Sequence, residues 1–293
     1  MLSALFESPF EIVAPMEQKL PFIFNSAHSG RMYPARFLAQ SRLNQHELRR
    51  SEDCFVDILF SEAPSLGAPV LKAHFPRAYL DANREPYELD PKMFEGRLPS
   101  YANIRSMRVA GGLGAIPRIV AEGQEIYASR LPISEAMERI DTLYRPYHRA
   151  LRGLLTKTHQ RFGEAYLFDC HSMPSASLGM ETMSRPDIVL GDRFGTSCSS
   201  LAIDIAQQVF ENLGYSVTRN RPYAGGFITE HYGNPAADIH AIQIEINRAL
   251  YMDEESLEPH SGFSQLQQDL TNAIERIWEY LQNQNGHFNL AAE

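Results

Sequence analysis

Three short stretches decide the fold: PFIFNSAHSG at 21–30, RAYLDANR at 77–84 and EAYLFDCHS at 164–172. Each contains a short apolar run and ends in polar or small residues, the pattern of a buried strand that runs into a loop. Strand and helix patterns alternate along the chain, and this order predicts an α/β fold with a largely parallel or mixed sheet covered on both faces. Because ligands in such folds bind beyond the carboxyl ends of the strands, the three polar ends predict a functional site there.

Periodicity predicts the remaining elements. Further strands are expected at 68–75, 186–192, 215–220 and 240–247. Helices are expected over most of 43–60, over 134–162 with a kink or break at Pro146, and over 197–213 and 261–284. Residues 85–112, rich in Pro, Gly, Tyr and Arg, predict a long functional loop. Since no repeat, low-complexity tract or linker divides the sequence, we expect a single domain over residues 1–293.

Composition excludes several classes of protein. The 293 residues carry 27 basic and 36 acidic side chains, and a net charge of −9 lacks the basic footprint of a nucleic-acid binder. The three cysteines are odd in number and show no CxxC spacing, which predicts a reducing, cytoplasmic location. The N-terminal segment has no signal-peptide pattern, and no window approaches the roughly 18 apolar residues of a membrane span. We therefore expect a soluble protein that binds neither nucleic acid nor membrane, with its oligomeric state left open.

His28 and His171 each follow an apolar stretch directly. Two imidazoles and one carboxylate commonly hold a catalytic zinc ion, with the fourth position left for water. Glu52 and Asp53, on a predicted helix, are the candidate carboxylates. A histidine at a strand end is more often a hydrogen-bonded structural residue, so spacing alone leaves both interpretations open. The sequence contains no HExxH motif, which excludes a zincin at the level of motif.

Glu245 lies in the alternating segment IQIEI at 242–246 and shares a predicted face with Gln243. This face is either the solvent side of an edge strand or the wall of an active site. In the second case, Glu245 would be the general base for a water that a metal ion has activated.

Arginine binds carboxylates through two parallel hydrogen bonds, which makes Arg84, beside Asn83 at the end of a predicted strand, a candidate substrate contact. Surface arginines that pair with nearby acids are the ordinary alternative. Further arginines in or after the long loop could hold a second carboxylate: Arg105, Arg108 and Arg118.

The segment GGFITEHYG at 225–233 opens with paired glycines, which permit either close approach to a ligand or only a tight turn. His231 and His240 are possible extra metal ligands, although contact with substrate or with neighbouring residues is preferred. Cys170, beside His171, suggests a nucleophile. Neighbouring residues of a strand face opposite sides, however, so we expect Cys170 to point into the core.

These motifs together resemble the N-formylglutamate amidohydrolase family from about residue 20 to about residue 255. The matching segments are SAHSG (26–30), ED (52–53), RAYLDANR (77–84), DCHS (169–172), PDIVLG (186–191), 225–233 and QIE (243–245). The resemblance implies a three-layer α/β/α domain with a central mixed sheet, related to the zinc carboxypeptidases. It also implies a zinc-dependent hydrolase of a linear amide C–N bond that converts N-formyl-L-glutamate into formate and L-glutamate, as in histidine degradation.

The resemblance assigns roles to individual residues. It implies that His28, Asp53 and His171 hold the zinc ion, with Asp53 preferred over Glu52, and that Glu245 is the catalytic residue. The implied substrate contacts are Asn83, Arg84, Arg118, Gly226, Thr229, His231 and Gln243.

Two positions depart from the related patterns. Arg31 stands where the carboxypeptidases have their acidic ligand, and Glu230 stands where some family members are basic. An acid at position 230 opposes a substrate side-chain carboxylate, so another N-acyl amino acid or a short acidic peptide is an alternative substrate. A non-catalytic small-molecule binder is the alternative from another class, although His28, His171 and Glu245 are all present.

Overall fold

The structure is a computed structural model that describes residues 6, 8–120, 123–175 and 186–290. Its strands are β1 (Phe10–Val13), β2 (Phe22–Ser26), β3 (Val70–Ala73), β4 (Phe94–Glu95), β5 (Leu131–Pro132), β6 (Ala165–Met173), β7 (Ile188–Gly191), β8 (Val217–Arg219), β9 (Ile239–Asn247), β10 (Met252–Asp253) and β11 (Glu258–Pro259). Its α-helices are α1 (Ala35–Gln40), α2 (Gln45–Arg49), α3 (Val56–Leu59), α4 (Met107–Ala110), α5 (Ile133–Arg139), α6 (Arg145–Phe162), α7 (Ser200–Asn212), α8 (Phe227–Tyr232) and α9 (Phe263–Leu290). Short 3-10 segments lie at Pro91–Met93, Pro235–Ala237 and Arg248–Leu250, and a π-helical segment lies at Ile140–Tyr144.

The main sheet is mixed and has the strand order β1-β3-β2-β6-β9-β7-β8. β6 runs parallel to β2 and to β9, whereas β7 runs antiparallel to β9 and parallel to β8. The predicted α/β fold with a central mixed sheet is therefore confirmed. β9 lies between two other strands and is buried along almost its whole length, so the solvent-face interpretation of Glu245 is wrong.

The chain forms two compact units. The first comprises Ser26–Cys54 and Leu71–Gly153 with the chain up to Ile12, and the second comprises Val13–Asn25, Phe55–Val70 and Leu154–Glu293. The single domain stays a prediction. Within the described residues, no helix combines the length and apolar character that crossing a membrane requires.

The core of the first unit is built around Arg139, which is fully buried. Its guanidinium lies 3.7 Å from the centre of the Tyr79 ring and donates to the Tyr79 carbonyl at 3.0 Å and to the Tyr127 hydroxyl at 2.7 Å. It also pairs with Glu135, one turn earlier on α5. A buried cation is stable only with such partners, so these contacts tie the turn at Tyr79 to the helix.

Aromatic packing organises the second unit. The Phe168 ring, on β6, lies edge-on to Phe22 and is stacked on Phe24, with ring centres 5.1 Å apart in both pairs. Trp278 of α9 covers Phe22 from the helix side at 5.8 Å. This apolar layer lies under the strands that carry the polar residues described below.

The helix predicted over 43–60 is interrupted. Asn44 and Glu47 form a capping box that starts α2, and Phe55 adopts a left-handed conformation (φ 64°) just before α3. Glu52 and Asp53 therefore lie in a turn, and the prediction that they lie on a helix is wrong. A non-glycine residue at positive φ cannot continue a right-handed helix.

The strand predicted over 77–84 is also wrong, because this segment consists of turns. The N–H groups of Tyr79 and Leu80 donate to the Pro76 carbonyl, and the Asp81 carboxylate accepts from the N–H of Asn83 at 2.8 Å. Side chains that bond to nearby backbone in this way compete with strand formation.

The segment predicted as a helix over 134–162 is helical, but its α-helical hydrogen bonding is interrupted. The α5 helix ends at Arg139, the π-helical segment Ile140–Tyr144 follows, and Pro146 lies in the first turn of α6. Proline lacks an N–H donor and its ring clashes with the preceding turn, which explains the break in the α-helical bonding. The predicted loop 85–112 contains only short elements, including β4 and α4.

Candidate active site

β6 and β9 place four polar side chains on one face of the main sheet. In their parallel register Asp169 lies opposite Gln243, and His171 lies opposite Glu245. Side chains two residues apart on a strand share a face, so all four point the same way. All four are buried. Buried polar groups require partners, and the hydrogen bonds among these residues supply them.

Gln243 connects Glu245 to the glycine-rich segment. Its amide nitrogen donates to Oε1 of Glu245 at 2.8 Å, and its amide oxygen accepts the N–H of Gly226 at 2.7 Å. The Thr229 hydroxyl donates to the Gly226 carbonyl at 2.9 Å. Gly225 has φ +117°, and a Cβ atom there would lie 2.5 Å from Oγ1 of Thr229. Gly225 adopts the positive φ that paired glycines permit, and the N–H of the next residue is directed at Gln243.

Asp169 orients His171. One carboxylate oxygen of Asp169 lies 2.9 Å from Nε2 of His171, and the other accepts the side-chain amide of Asn25 at 2.7 Å. Asn25 is the neighbour of Asp169 in the register of β2 with β6. A carboxylate on one ring nitrogen fixes the tautomer and directs the other nitrogen toward a metal.

His28 has a similar arrangement. Nε2 of His28 lies 2.7 Å from Oδ1 of Asp81, and Nδ1 lies 3.4 Å from Oδ2 of Asp53. The Asp53 N–H donates to the His28 carbonyl, and the Ser29 hydroxyl donates to the Asp53 carbonyl. Gly30 is required here, because a Cβ atom would lie 2.1 Å from the Phe75 carbonyl oxygen.

Asp81 is surrounded by positive charge. Arg77 lies 3.4 Å from its carboxylate and 3.7 Å from that of Asp53, and Arg84 lies 3.6 Å away. Burial alone would raise the pKa of Asp81, but Arg84, His28 and Arg77 together hold that pKa well below its usual range. Asp81 is therefore a stable anion that accepts a hydrogen bond from the His28 ring.

The three predicted metal ligands come together. His28, Asp53 and His171 are buried, and one ligand atom from each lies within 4.8 Å of the others. Two imidazoles and one carboxylate suit zinc, and a nitrogen and oxygen donor set also accepts other divalent ions. This group could hold a metal ion.

Glu52, the alternative carboxylate, lies outside this group and is engaged elsewhere. It accepts the Tyr33 hydroxyl at 2.6 Å and Nε of Arg49 at 3.2 Å, and burial raises its pKa. These contacts favour Asp53 over Glu52 as the third ligand.

Two predicted substrate-binding arginines already contact groups of the protein. Arg84 is mostly buried, which lowers its pKa, and it donates to the carbonyl of Asn83 at 2.8 Å. Arg118 pairs with Asp90 at 2.8 Å and with Glu125 at 3.2 Å. Substrate contact by Arg84, Asn83 and Arg118 stays a prediction, as it does for Gly226, Thr229 and Gln243.

The two extra histidines lie outside the metal group. His231 is exposed on α8 and stacks on Phe227, with ring centres 4.9 Å apart. His240 is buried on β9, where Nδ1 accepts the N–H of Ser199 at 3.2 Å and burial lowers its pKa. Substrate contact by His231 stays a prediction. The hydrogen bond from the Ser199 N–H shows that His240 contacts a neighbouring residue.

Cys170 is a buried thiol that donates to the Phe168 carbonyl. Burial, followed by the charge of Asp169, raises its pKa well above the usual range. A nucleophilic cysteine needs the opposite shift, because the thiolate is the reactive form. The thiol therefore behaves as part of the core, as its place in the strand predicts.

Sequence reasoning assigned no separate role to Asp169 or Asp81. The position of Asp169 two residues before His171 on a strand is a signal that could have been used, because it places both side chains on one face. No local pattern links Asp81 to His28, which lies 53 residues earlier.

The comparison with known sequences points to one family. The family model described as N-formylglutamate amidohydrolase matches residues 20–252. N-formylglutamate deformylase from Pseudomonas putida is 32% identical over 240 residues, which cover 80% of this chain and 83% of that protein. N-formylglutamate deformylase from Pseudomonas aeruginosa is 29% identical over 250 residues, which cover 84% and 87% of the two chains.

Solved structures agree with this result. The crystal structure of N-formylglutamate amidohydrolase from Ralstonia eutropha JMP134 is similar with a TM-score of 0.87 and 37% identity, covering 94% of this chain and 99% of that one. A gene product of Agrobacterium tumefaciens, with a TM-score of 0.66 and 18% identity over 92% and 96% of the chains, shares the fold. The matched segment contains the metal group and Glu245. This chain belongs to the N-formylglutamate amidohydrolase family.

Proposed function

We propose that this chain is a zinc-dependent enzyme that hydrolyses N-formyl-L-glutamate to formate and L-glutamate. The observation that carries the proposal is the buried group of His28, Asp53 and His171, with Glu245 opposite His171 on the neighbouring strand. Relatives named N-formylglutamate deformylase support the substrate. A place in histidine degradation follows from that substrate as a prediction, and the cytoplasmic location expected from the cysteines stays a prediction.

Five residues would hold the metal ion and its ligands. His28, Asp53 and His171 would bind it, while Asp81 and Asp169 keep the two imidazole rings in place through their Nε2 atoms. When bound, the ion would supply Lewis acidity toward the formyl oxygen and toward water.

Glu245 is the proposed general base and acid. Its carboxylate accepts a proton from the attacking water and passes it to the nitrogen of the leaving amino acid. Gln243 donates to Oε1 of this carboxylate at 2.8 Å. Gln243 itself accepts the Gly226 N–H, so a backbone contact supports the residue that orients the proposed base.

Asn83 and Arg84 are the proposed contacts of the substrate α-carboxylate. Arg84 already lies 3.6 Å from Asp81, so a substrate carboxylate would join an arginine that the protein has placed. Arg118 would have to exchange Asp90 or Glu125 for a substrate group. Gly226, Thr229 and His231 are the further proposed contacts.

The test is formate release from N-formyl-L-glutamate by the purified protein, after chelation and after zinc is added back. We expect release that stops on chelation and returns with zinc. Release that is indifferent to chelation and zinc would reject the metal dependence. No release from a folded, zinc-loaded protein would reject this substrate and direct the search to other N-acyl amino acids.

A further inference from the structure

Arg193 and Glu230 form an ion pair beside the two glycines at 225–226. Nη2 of Arg193 lies 2.8 Å from Oε2 of Glu230, and Nη1 of Arg193 donates to the Gly225 carbonyl at 3.4 Å. The next residue, Gly226, donates its N–H to Gln243, which in turn holds the proposed base. The Arg193 guanidinium therefore contacts the glycine segment that is connected to the proposed base through Gln243.

Backbone conformation and backbone hydrogen bonds fix the position of Arg193. Arg193 and Phe194 both have left-handed φ values, 54° and 57°, and the Asn220 side chain accepts the N–H of Phe194. The Arg193 N–H donates to the Ala224 carbonyl at 2.8 Å. Its aliphatic stem packs on Gly225, where a Cβ atom would approach Cδ of Arg193 to 3.1 Å. Two consecutive non-glycine residues with left-handed backbone conformations are strained, and such strain concentrates at functional sites.

The Glu230 carboxylate can be replaced by another carboxylate at Arg193, because both side chains reach solvent. Glu230 is 57% exposed and Arg193 is 29% exposed, so solvent reaches both partners. Exposed pairs of this kind contribute little stability, and a second carboxylate can replace the first at small cost. A planar guanidinium accepts any carboxylate of suitable geometry, whether it comes from a side chain or from a substrate.

We propose that Arg193 determines specificity by binding the side-chain carboxylate of the acyl amino acid, with Glu230 as the competing carboxylate. The inference rests on the proposed function, because it names the residue that would select a dicarboxylic substrate. It differs from a purely structural ion pair, which would hold α8 to the loop at Arg193 and be indifferent to the charge of the substrate.

The experiment compares N-formyl-L-glutamate with N-formyl-L-glutamine, which has nearly the same shape but no side-chain charge. Arg193→Gln is expected to raise KM for formylglutamate about tenfold or more, and to change KM for formylglutamine by less than about twofold. Glu230→Gln is expected to lower KM for formylglutamate about two- to fivefold, because it removes the competitor. Arg161→Gln is the matched control, since Arg161 forms a similar exposed ion pair with Glu17 at 2.9 Å.

Two results would overturn the proposal. One is that Arg193→Gln changes KM equally for both substrates, and the other is that neither Arg193→Gln nor Glu230→Gln changes KM for formylglutamate. Arg193→Lys, which keeps the charge, should restore part of the preference and separates loss of charge from misfolding. The wild-type chain is measured first: if it hydrolyses neither formyl substrate, the proposed function fails and takes this inference with it. If it does hydrolyse them, only the role of Arg193 is at stake.

Discussion

His171 and Glu245 are direct partners in the parallel pairing of β6 with β9, and their side chains lie on the same buried face of the sheet. One is the proposed metal ligand and the other the proposed base. The strand register therefore sets the spacing between them. A slip of one residue would turn Glu245 to the opposite face, and the burial of both strands specifies the register against such a slip.

Glu245→Gln should abolish formate release while leaving metal binding intact. The amide keeps the shape of the side chain but cannot take the proton from water, and loss of a general base commonly costs about 10²–10⁴-fold in rate. Turnover and bound zinc are measured on the same preparation. A variant with near-normal turnover would remove Glu245 from its assigned role.

Gln243→Met should lower kcat about 10- to 100-fold, because it removes the bond that orients Glu245 and leaves the Gly226 N–H without its acceptor. The pH profile of kcat should shift with it, which a general loss of stability would not cause. Gln207→Met on α7 is the control. If both variants behave alike, Gln243 has no part in positioning the base.

Asp169→Asn should weaken metal binding about 10- to 100-fold, because the neutral amide is a poorer partner for the His171 ring. Zinc affinity is measured by competition with a chelator. The control is Asp204→Asn, which removes an exposed carboxylate paired with Arg219 on the surface. Unchanged affinity in Asp169→Asn would show that the carboxylate does not support the ligand.

The three cysteines should resist alkylation in the folded protein. Cys54, Cys170 and Cys198 are buried, and burial raises the pKa of Cys170 and of Cys198, so both stay as thiols at pH 8. Iodoacetamide labelling followed by mass spectrometry should find modification only after unfolding in denaturant. Rapid labelling of Cys170 in the folded state, with loss of activity, would revive the nucleophile alternative.

Glu135→Gln should destabilise the protein by about 3 kcal/mol at pH 7, because it leaves the buried Arg139 without its counter-charge. Burial alone raises the pKa of Glu135, but Arg139, Gln40 and Arg36 lower it below the ordinary value. The stabilisation is therefore present above the ordinary pKa of a glutamate and is lost as the pH falls through the lower folded-state pKa.

Urea unfolding between pH 7 and pH 3 tests this relationship. The difference between wild type and Glu135→Gln should shrink as the pH falls. Glu17→Gln, which breaks the exposed pair with Arg161, should cost less than about 1 kcal/mol and serves as the control. A constant difference across the pH range would contradict the assigned cause.

Six strands, β2, β3, β6, β7, β8 and β9, formed where the pattern placed them, because each is a short apolar run or an alternation of apolar and polar residues. The conformations of the segments around Asp53 and Asp81 could not be predicted. The Asp53 N–H donates to the His28 carbonyl and the Asp81 N–H donates to the Ala115 carbonyl, so distant parts of the chain set their conformations. Local periodicity contains no information about such bonds.

Periodicity and composition predict the fold class and the residue types available for chemistry, while the motifs in their order carry the resemblance to the family. The tertiary structure adds that the Asp53 carboxylate lies near His28 and His171, that Asp81 and Asp169 contact the two rings, and that Gln243 donates to Glu245. The physical reason is the range of the interactions. Hydrophobic patterning acts within a few residues of the chain, whereas a metal group and its hydrogen bonds join side chains that only the sheet register and the turns bring within a few ångströms of one another.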